Sequence, residues 1–197
     1  MIHPNFVYLG ILLQFAGGMS YLIDTVKGKV RPNRVSWLMW TFAPALAFFA
    51  EIKQGVGIEA WSTFIVGFVP FLVFLSSFVN KKAEWKLEKL DIICGFLSLV
   101  GLILWMVTKV GNIAIIFAIL ADILACVPTI VKSWRNPETE NHWVFSLSFF
   151  NSIISLLVIK TWHFENYAFM TYLLFANGLL TLLILFKLGR VTHKMIQ

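Results

Sequence analysis

Apolar residues along this chain gather into seven long runs, at 6–23, 35–50, 60–79, 92–107, 113–131, 143–159 and 167–186, and all but one of the charged side chains lie outside them. A hydrocarbon core about 30 Å thick takes roughly 17–25 helical residues per crossing. Each run therefore predicts a membrane-spanning helix, the shorter ones extended by flanking residues. Three runs precede 92–107 and three follow it, and the two sets resemble each other. A set of three spans starts on one side of a membrane and ends on the other, so a second copy following directly would be inserted upside down. One extra span restores the orientation, and the copies can then stand parallel, related by an axis along the membrane normal. The expected fold is an all-α membrane protein of seven transmembrane helices: two parallel three-helix repeats joined by a linker helix, or 3+1+3. The expected divisions are 1–80 for the first bundle, 81–110 for an amphipathic linker and inversion helix, and 111–197 for the second bundle with a cytoplasmic tail.

Composition agrees with this pattern. The 197 residues are 59% hydrophobic and only 13% charged, with a mean hydropathy of +0.81, whereas soluble domains carry about a quarter charged residues. Seven spans use most of the chain and leave no room for a soluble domain. Met1 to Asn5 hold no Lys or Arg, so the basic start of a cleavable signal is missing and the first run is expected to be the first helix.

The net charge of +6 takes its meaning from where the charges fall. Lys27, Lys29, Arg31 and Arg34, then Lys81, Lys82, Lys86 and Lys89, then Lys132 and Arg135, and finally Lys187, Arg190 and Lys194 make 13 on one side of a seven-span layout, against 3 on the other, Lys53, Lys109 and Lys160. Lys and Arg gather on the cytoplasmic face. The amino terminus is therefore expected outside and the carboxyl terminus in the cytoplasm, in an integral protein of the plasma membrane. Loops of this kind contact lipid headgroups rather than nucleic acid.

Polar residues inside the runs are the candidate chemistry. Gln14 shares a helix face with Gly10, Gly17 and Tyr21, and glycines there permit close helix approach. Trp37, Trp40, Thr41 and Pro44 share a face of the second run; Trp37 is expected as an interfacial anchor, and Trp40, one turn deeper, either anchors or lines a cavity. Pro44 removes a backbone hydrogen bond and invites a kink, and Gly67 with Pro70 marks a second irregularity in the third run. The charged stretch NKKAEWKLEKLD is expected to form an interfacial helix leading into 92–107, with Trp105 an anchor near the far end. Asp122 sits at the middle of the fifth run. A carboxylate there costs at least about 2.5–3.5 kcal/mol and belongs against the bundle interior or a wet cavity, in contact with solute or proton, or in a structural hydrogen bond to a neighbouring helix. Ser148, Asn151, Ser152 and Ser155 form a stripe on the sixth run, as interhelical glue or as a cavity wall. Asn177 lies in the middle of the seventh, with Thr181 one turn on.

Cys94 and Cys126 lie inside spans without CxxC spacing, and His3, His142, His163 and His193 are far apart. No metal and no cofactor is expected. With no Ser–His pairing and no paired carboxylates in mid-membrane, neither is an enzyme.

The two halves can be written over each other. YLIDTVKGKVRPNRVSW matches CVPTIVKSWRNPETENHW, with Lys27 on Lys132 and Pro32 on Pro137, both 105 residues apart, and Trp37 on Trp143 after one insertion. In this register Asp122 falls on Gly17 and Asn177 on Pro70. VPTIVKSWRNPETENHWVFS resembles the PQ-loop motif, in which Pro-Gln ends the first helix of a triplet and a Lys and a short basic loop follow. Here the dipeptide is Pro128-Thr129, and Ile23-Asp24 in the first half. The 3+1+3 layout with an external amino terminus is similar to the SWEET sugar transporters and their PQ-loop relatives. That resemblance implies hinge prolines, Pro44 and Pro128, and an Asn in the third helix of each triplet at the sugar site; Asn177 fits, and Pro70 stands where the other should be. It implies a transporter that moves a small polar solute (a sugar, amino acid or vitamin-like molecule) by alternating access. Asp122 tilts this reading toward proton coupling. Asp122, Asn151, Asn177, Trp40, Gln14, Ser148 and Ser152 are the expected solute contacts, and a homo-oligomer is compatible with the layout. The alternative is a receptor of the same fold, of the KDEL-receptor kind, which binds without carrying.

Overall fold

The computed structural model describes residues 2–53, 60–83, 85–107 and 111–190. Among them the chain forms seven α-helices and no strand: α1 (Phe6–Val26), α2 (Arg34–Lys53), α3 (Ala60–Ser76), α4 (Lys89–Val107), α5 (Gly111–Arg135), α6 (His142–Val158) and α7 (Phe164–Leu185). Each apolar run is helical, with ends moved by a few residues. Helix α5 gains most, taking Lys132 and Arg135 into its last turn, where cations meet the negative end of the helix dipole. Pro44, Pro70 and Pro128 lie inside α2, α3 and α5, which continue through them. The expected anchor Trp105 has its side chain outside the described residues, as do Lys53, Lys109 and Lys194.

Three helical stretches, Phe6–Val26, Ile115–Arg135 and Asn166–Leu185, are long and apolar enough to cross a membrane. Exposure points the same way. Large apolar side chains such as Leu12, Phe96 and Phe175 face outward, while Gln14, Asp122, Asn151 and Ser152 are buried. A soluble protein does not cover itself with apolar patches on this scale; this is a membrane protein.

Hydrogen bonds fix the direction of the helices. Asn80, just past α3, donates to the Val26 carbonyl at the end of α1 at 2.8 Å. Arg34, opening α2, donates to the Ser77 carbonyl at 2.9 Å. Asn33 donates to Asp91 in the first turn of α4 at 2.9 Å. Asn141, the cap of α6, donates to Asp24 on α1 at 2.6 Å, and Arg190, past α7, meets Glu138, past α5, at 2.7 Å. The C-terminal ends of α1, α3, α5 and α7 and the N-terminal ends of α2, α4 and α6 thus share one end of the bundle. That end carries every basic loop assigned above to the cytoplasmic side, as far as those loops are described.

The neighbours repeat. Helix α3 packs on both α1 and α2, and α7 packs on both α5 and α6; across the divide α1 meets α6 and α2 meets α5. Close approach depends on missing side chains. A Cβ on Gly18 would drive into Val69 of α3, and one on Gly10 into the Asn151 amide of α6. Helix α4 stands at the edge. Asp91, Cys94, Gly95, Ser98, Gly101 and Leu102 are buried along one stripe while Ile92, Ile93, Phe96, Leu97 and Ile103 are exposed, and Ser98 donates to the Ala121 carbonyl of α5 at 2.7 Å.

Two expectations are corrected. The linker before α4 is not an interfacial helix: a single 3-10 turn at Lys81–Ala83 is followed by 85–88 without helical structure. One tertiary and one local contact hold this stretch instead: the Lys132 ammonium lies 4.8 Å from the Trp85 ring centre, and the Glu88 N–H donates to the Asp91 carboxylate three residues on at 2.7 Å. Nor is Trp37 an interfacial anchor. It is 2% exposed in a core with Tyr21, Val73, Cys126, Phe145 and Leu180, because its ring fills the seam between the two sets of three.

Candidate functional site

A cavity of about 70 Å³ lies in that seam. On the side of the first three helices it is walled by Gln14 of α1, Trp37, Trp40 and Pro44 of α2, and Val66, Val69 and Pro70 of α3. On the other side stand Asp122 and Cys126 of α5, Phe145, Ser148, Asn151 and Ser152 of α6, and Phe169, Tyr172 and Asn177 of α7. Gln14, Trp40, Asp122, Ser148, Asn151, Ser152 and Asn177, far apart in the chain, therefore meet at one space. Pro70 and Asn177, paired in the internal register, both reach it. Of the two hinge candidates, Pro44 lines the cavity. Pro128 does not; it borders a separate space of about 20 Å³ beside Trp85 and Lys132.

The polar groups around the cavity differ in how much bonding capacity they have left. Ser148 donates to the Val144 carbonyl at 2.6 Å and Ser152 to the Ser148 carbonyl at 3.0 Å, so both hydroxyl protons are held within α6. The Asn177 amide donates to the Leu173 carbonyl at 2.9 Å, and its oxygen has no partner among the described residues. Asp122 accepts from the Tyr172 hydroxyl at 2.7 Å. The side-chain amides of Gln14 and Asn151, both buried, make no hydrogen bond among the described residues. Buried amides usually find partners; two bare amides facing one cavity are a surface prepared for polar contents. Water-sized molecules need about 10–15 Å³ each by this measure, so the space holds several waters or a small solute.

Toward the basic end the cavity is closed in two layers. Rings form the first: Tyr21 and Trp37 lie 4.6 Å apart, Trp37 and Trp40 5.3 Å, and Phe145 is 6.4 Å from both tryptophans. Behind them is a buried polar cluster. The Tyr21 hydroxyl donates to Glu140 at 2.6 Å, Lys132 pairs with the other Glu140 oxygen at 2.6 Å, and Lys132 also donates to the Arg31 carbonyl. The Arg31 N–H donates to the Thr139 carbonyl at 2.9 Å. This cluster ties the loop after α1 to the loop after α5.

Sequence reasoning missed Tyr172, Phe145, Cys126 and the pairing of Lys132 with Glu140. A tyrosine within an apolar run, five residues before Asn177, was the available signal for Tyr172. Nothing local marks Glu140, since Glu138 in the same loop is acidic too and half-exposed. Thr181 stands apart from the cavity, 3.4 Å from the Ser146 hydroxyl. Among the described residues no group of three or more His, Cys, Asp or Glu could hold a metal ion.

No protein-family model, no curated protein and no solved structure matches this chain. Fold and cavity together define the class: a helical membrane protein with a largely apolar cavity, edged by a few polar side chains, between α1–α3 and α5–α7.

Proposed function

We propose that the protein is a transporter of SWEET/PQ-loop type, with seven transmembrane helices in a 3+1+3 arrangement, carrying a small polar solute across the plasma membrane by alternating access. The observation that carries the reading is the pair of bare amides, Gln14 from the first triplet and Asn151 from the second, at a cavity walled by residues of both. A packing core would pair such groups or replace them with apolar ones. Helix neighbours support the repeat: the third helix of each triplet lies between the other two, and α1–α6 and α2–α5 are reciprocal contacts. Helix α4, buried along a single stripe, suits the unpaired inversion span. The collected basic ends support a cytoplasmic carboxyl terminus and an external amino terminus.

In this reading the rings and the Lys132–Glu140 pair form a closed cytoplasmic gate, and rocking of one triplet against the other parts them. Asp122 is the group through which protons would couple, being the acidic side chain of the cavity wall.

The test is uptake. Purified protein in liposomes should accumulate or exchange a labelled solute, saturably, and lose that flux when Gln14 and Asn151 are changed to leucine. Binding of the same solute to the detergent-solubilised protein with no flux in liposomes would instead identify a receptor and end the transport reading.

A further inference from the structure

We infer that the cavity selects a small organic cation, an ammonium or guanidinium head of a few heavy atoms. This rests on the cavity being the solute site.

Charge is the first ground. Asp122 is buried and accepts one hydrogen bond among the described residues, from the Tyr172 hydroxyl at 2.7 Å. Its second oxygen has no partner among the described residues. An ionised carboxylate in a dry interior is unfavourable by several kcal/mol unless a counter-charge is near. No Lys, Arg or His is among the residues that line the cavity. Lys132, on the same helix, is ten residues further along, roughly 15 Å at helical rise, and its ammonium is already held by Glu140 and the Arg31 carbonyl. The remaining titratable side chains of the wall, Cys126 and Tyr172, bring no positive charge. The chamber therefore carries a negative group without a resident counter-ion.

The second ground is the chemistry of the wall. Trp40, Phe145, Phe169 and Tyr172 present rings to the same space. Aromatic faces attract cations, tryptophan most strongly, and more so where water is scarce. Amide oxygens complete the set, since those of Gln14 and Asn177 have no partner among the described residues and can accept from N–H donors. An anion would meet Asp122 unscreened. A neutral polyol could use the amides but would leave the carboxylate uncompensated. The volume of about 70 Å³ limits the bound part to a head group.

The experiment compares charge at constant shape. Thermal unfolding of the purified protein is followed with choline and with its uncharged carbon isostere, 3,3-dimethylbutan-1-ol, then with guanidinium, ethanolamine and glucose, and uptake of labelled choline and glucose is measured in liposomes. Choline should stabilise at concentrations at least about tenfold below its isostere, a difference of 1.4 kcal/mol. Asp122→Asn should erase that preference, and Asp122→Glu, which keeps the charge should asparagine disturb folding, should retain it. Equal effects of choline and the isostere, or stabilisation by glucose alone, overturn the cation assignment. Glucose uptake without a cation effect does so while leaving transport standing. Choline binding without choline uptake keeps the assignment and removes the transport reading, and no response to any probe removes both.

Discussion

Lys132 and Glu140 meet at 2.6 Å with side chains 1% and 0% exposed, and their other partners, the Tyr21 hydroxyl and the Arg31 carbonyl, come from the opposite half of the chain. Both come from one eleven-residue stretch, 132–142, yet the pair closes a junction between two loops that are more than a hundred residues apart. Breaking it leaves a buried ammonium without its counter-charge. Glu140→Gln should lower stability by about 3–5 kcal/mol, and replacing both members with apolar residues of similar volume should recover most of that. Thermal and denaturant unfolding of the single and double variants decide it; a single variant as stable as the parent would show that the pair is not a structural tie.

If the same cluster is the cytoplasmic gate, loosening it should expose the chamber. Cys126 borders the cavity and is 3% exposed. In a Cys94→Ala background, a small charged thiol reagent applied from the cytoplasmic side should label Cys126 slowly in the parent and several-fold faster in Glu140→Gln. Unchanged labelling, with the variant shown to be folded, would place the gate elsewhere.

Helix α1 is seated on α3 by an absent side chain. Gly18→Ala adds a Cβ that collides with the two methyl groups of Val69, a branched residue with little freedom to retreat. Overpacking of this kind costs about 1–3 kcal/mol, against roughly 1 kcal/mol that alanine contributes over glycine inside a helix. Net destabilisation is expected for Gly18→Ala alone, and Val69→Ala on top of it should relieve the clash. A double-mutant cycle reads the coupling directly. Additive effects would mean that α1 and α3 are spaced more widely than a direct Gly18–Val69 contact allows.

Topology is open to a direct check. A reporter fused after Gln197 should be active in the cytoplasm, and a tag ahead of Met1 should be reachable from outside intact cells. Both ends on one side would falsify the seven-span arrangement and the parallel repeat together.

Residues paired by the internal repeat have unequal fates, which explains what could be read in advance. Pro32 and Pro137 are both fully buried, as an equivalence predicts. Trp37 and Trp143 are not alike: the first is 2% exposed in the central core and the second 54% exposed. Lys27 is exposed where Lys132 is buried. Local pattern treats the members of each pair identically, because both sit at a helix end beside a basic loop. Packing separates them, since only one tryptophan meets the facing Tyr21 and Phe145 rings and only one lysine finds Glu140. The charged linker before α4 failed for a related reason. Its composition suits an amphipathic helix, but contacts of Trp85 with Lys132 and of Glu88 with Arg135, both on α5, outweigh a weak local propensity.

What the sequence by itself determined is whatever depends on transfer from water to hydrocarbon. The seven helices and the unusual position of Asp122 are each legible from a single stretch of chain, because burying an apolar run or a lone carboxylate has a large free energy set by that stretch itself. Gathering Gln14, Trp40, Asp122, Asn151 and Asn177 at one cavity, binding Tyr172 to Asp122, and closing the basic end with Lys132 and Glu140 were decided only by the tertiary structure. Those outcomes turn on which helix faces which, and inside a membrane that choice is made by close packing at positions such as Gly10 and Gly18 and by hydrogen bonds between distant segments. Such interactions are individually small and have no local signature along the chain.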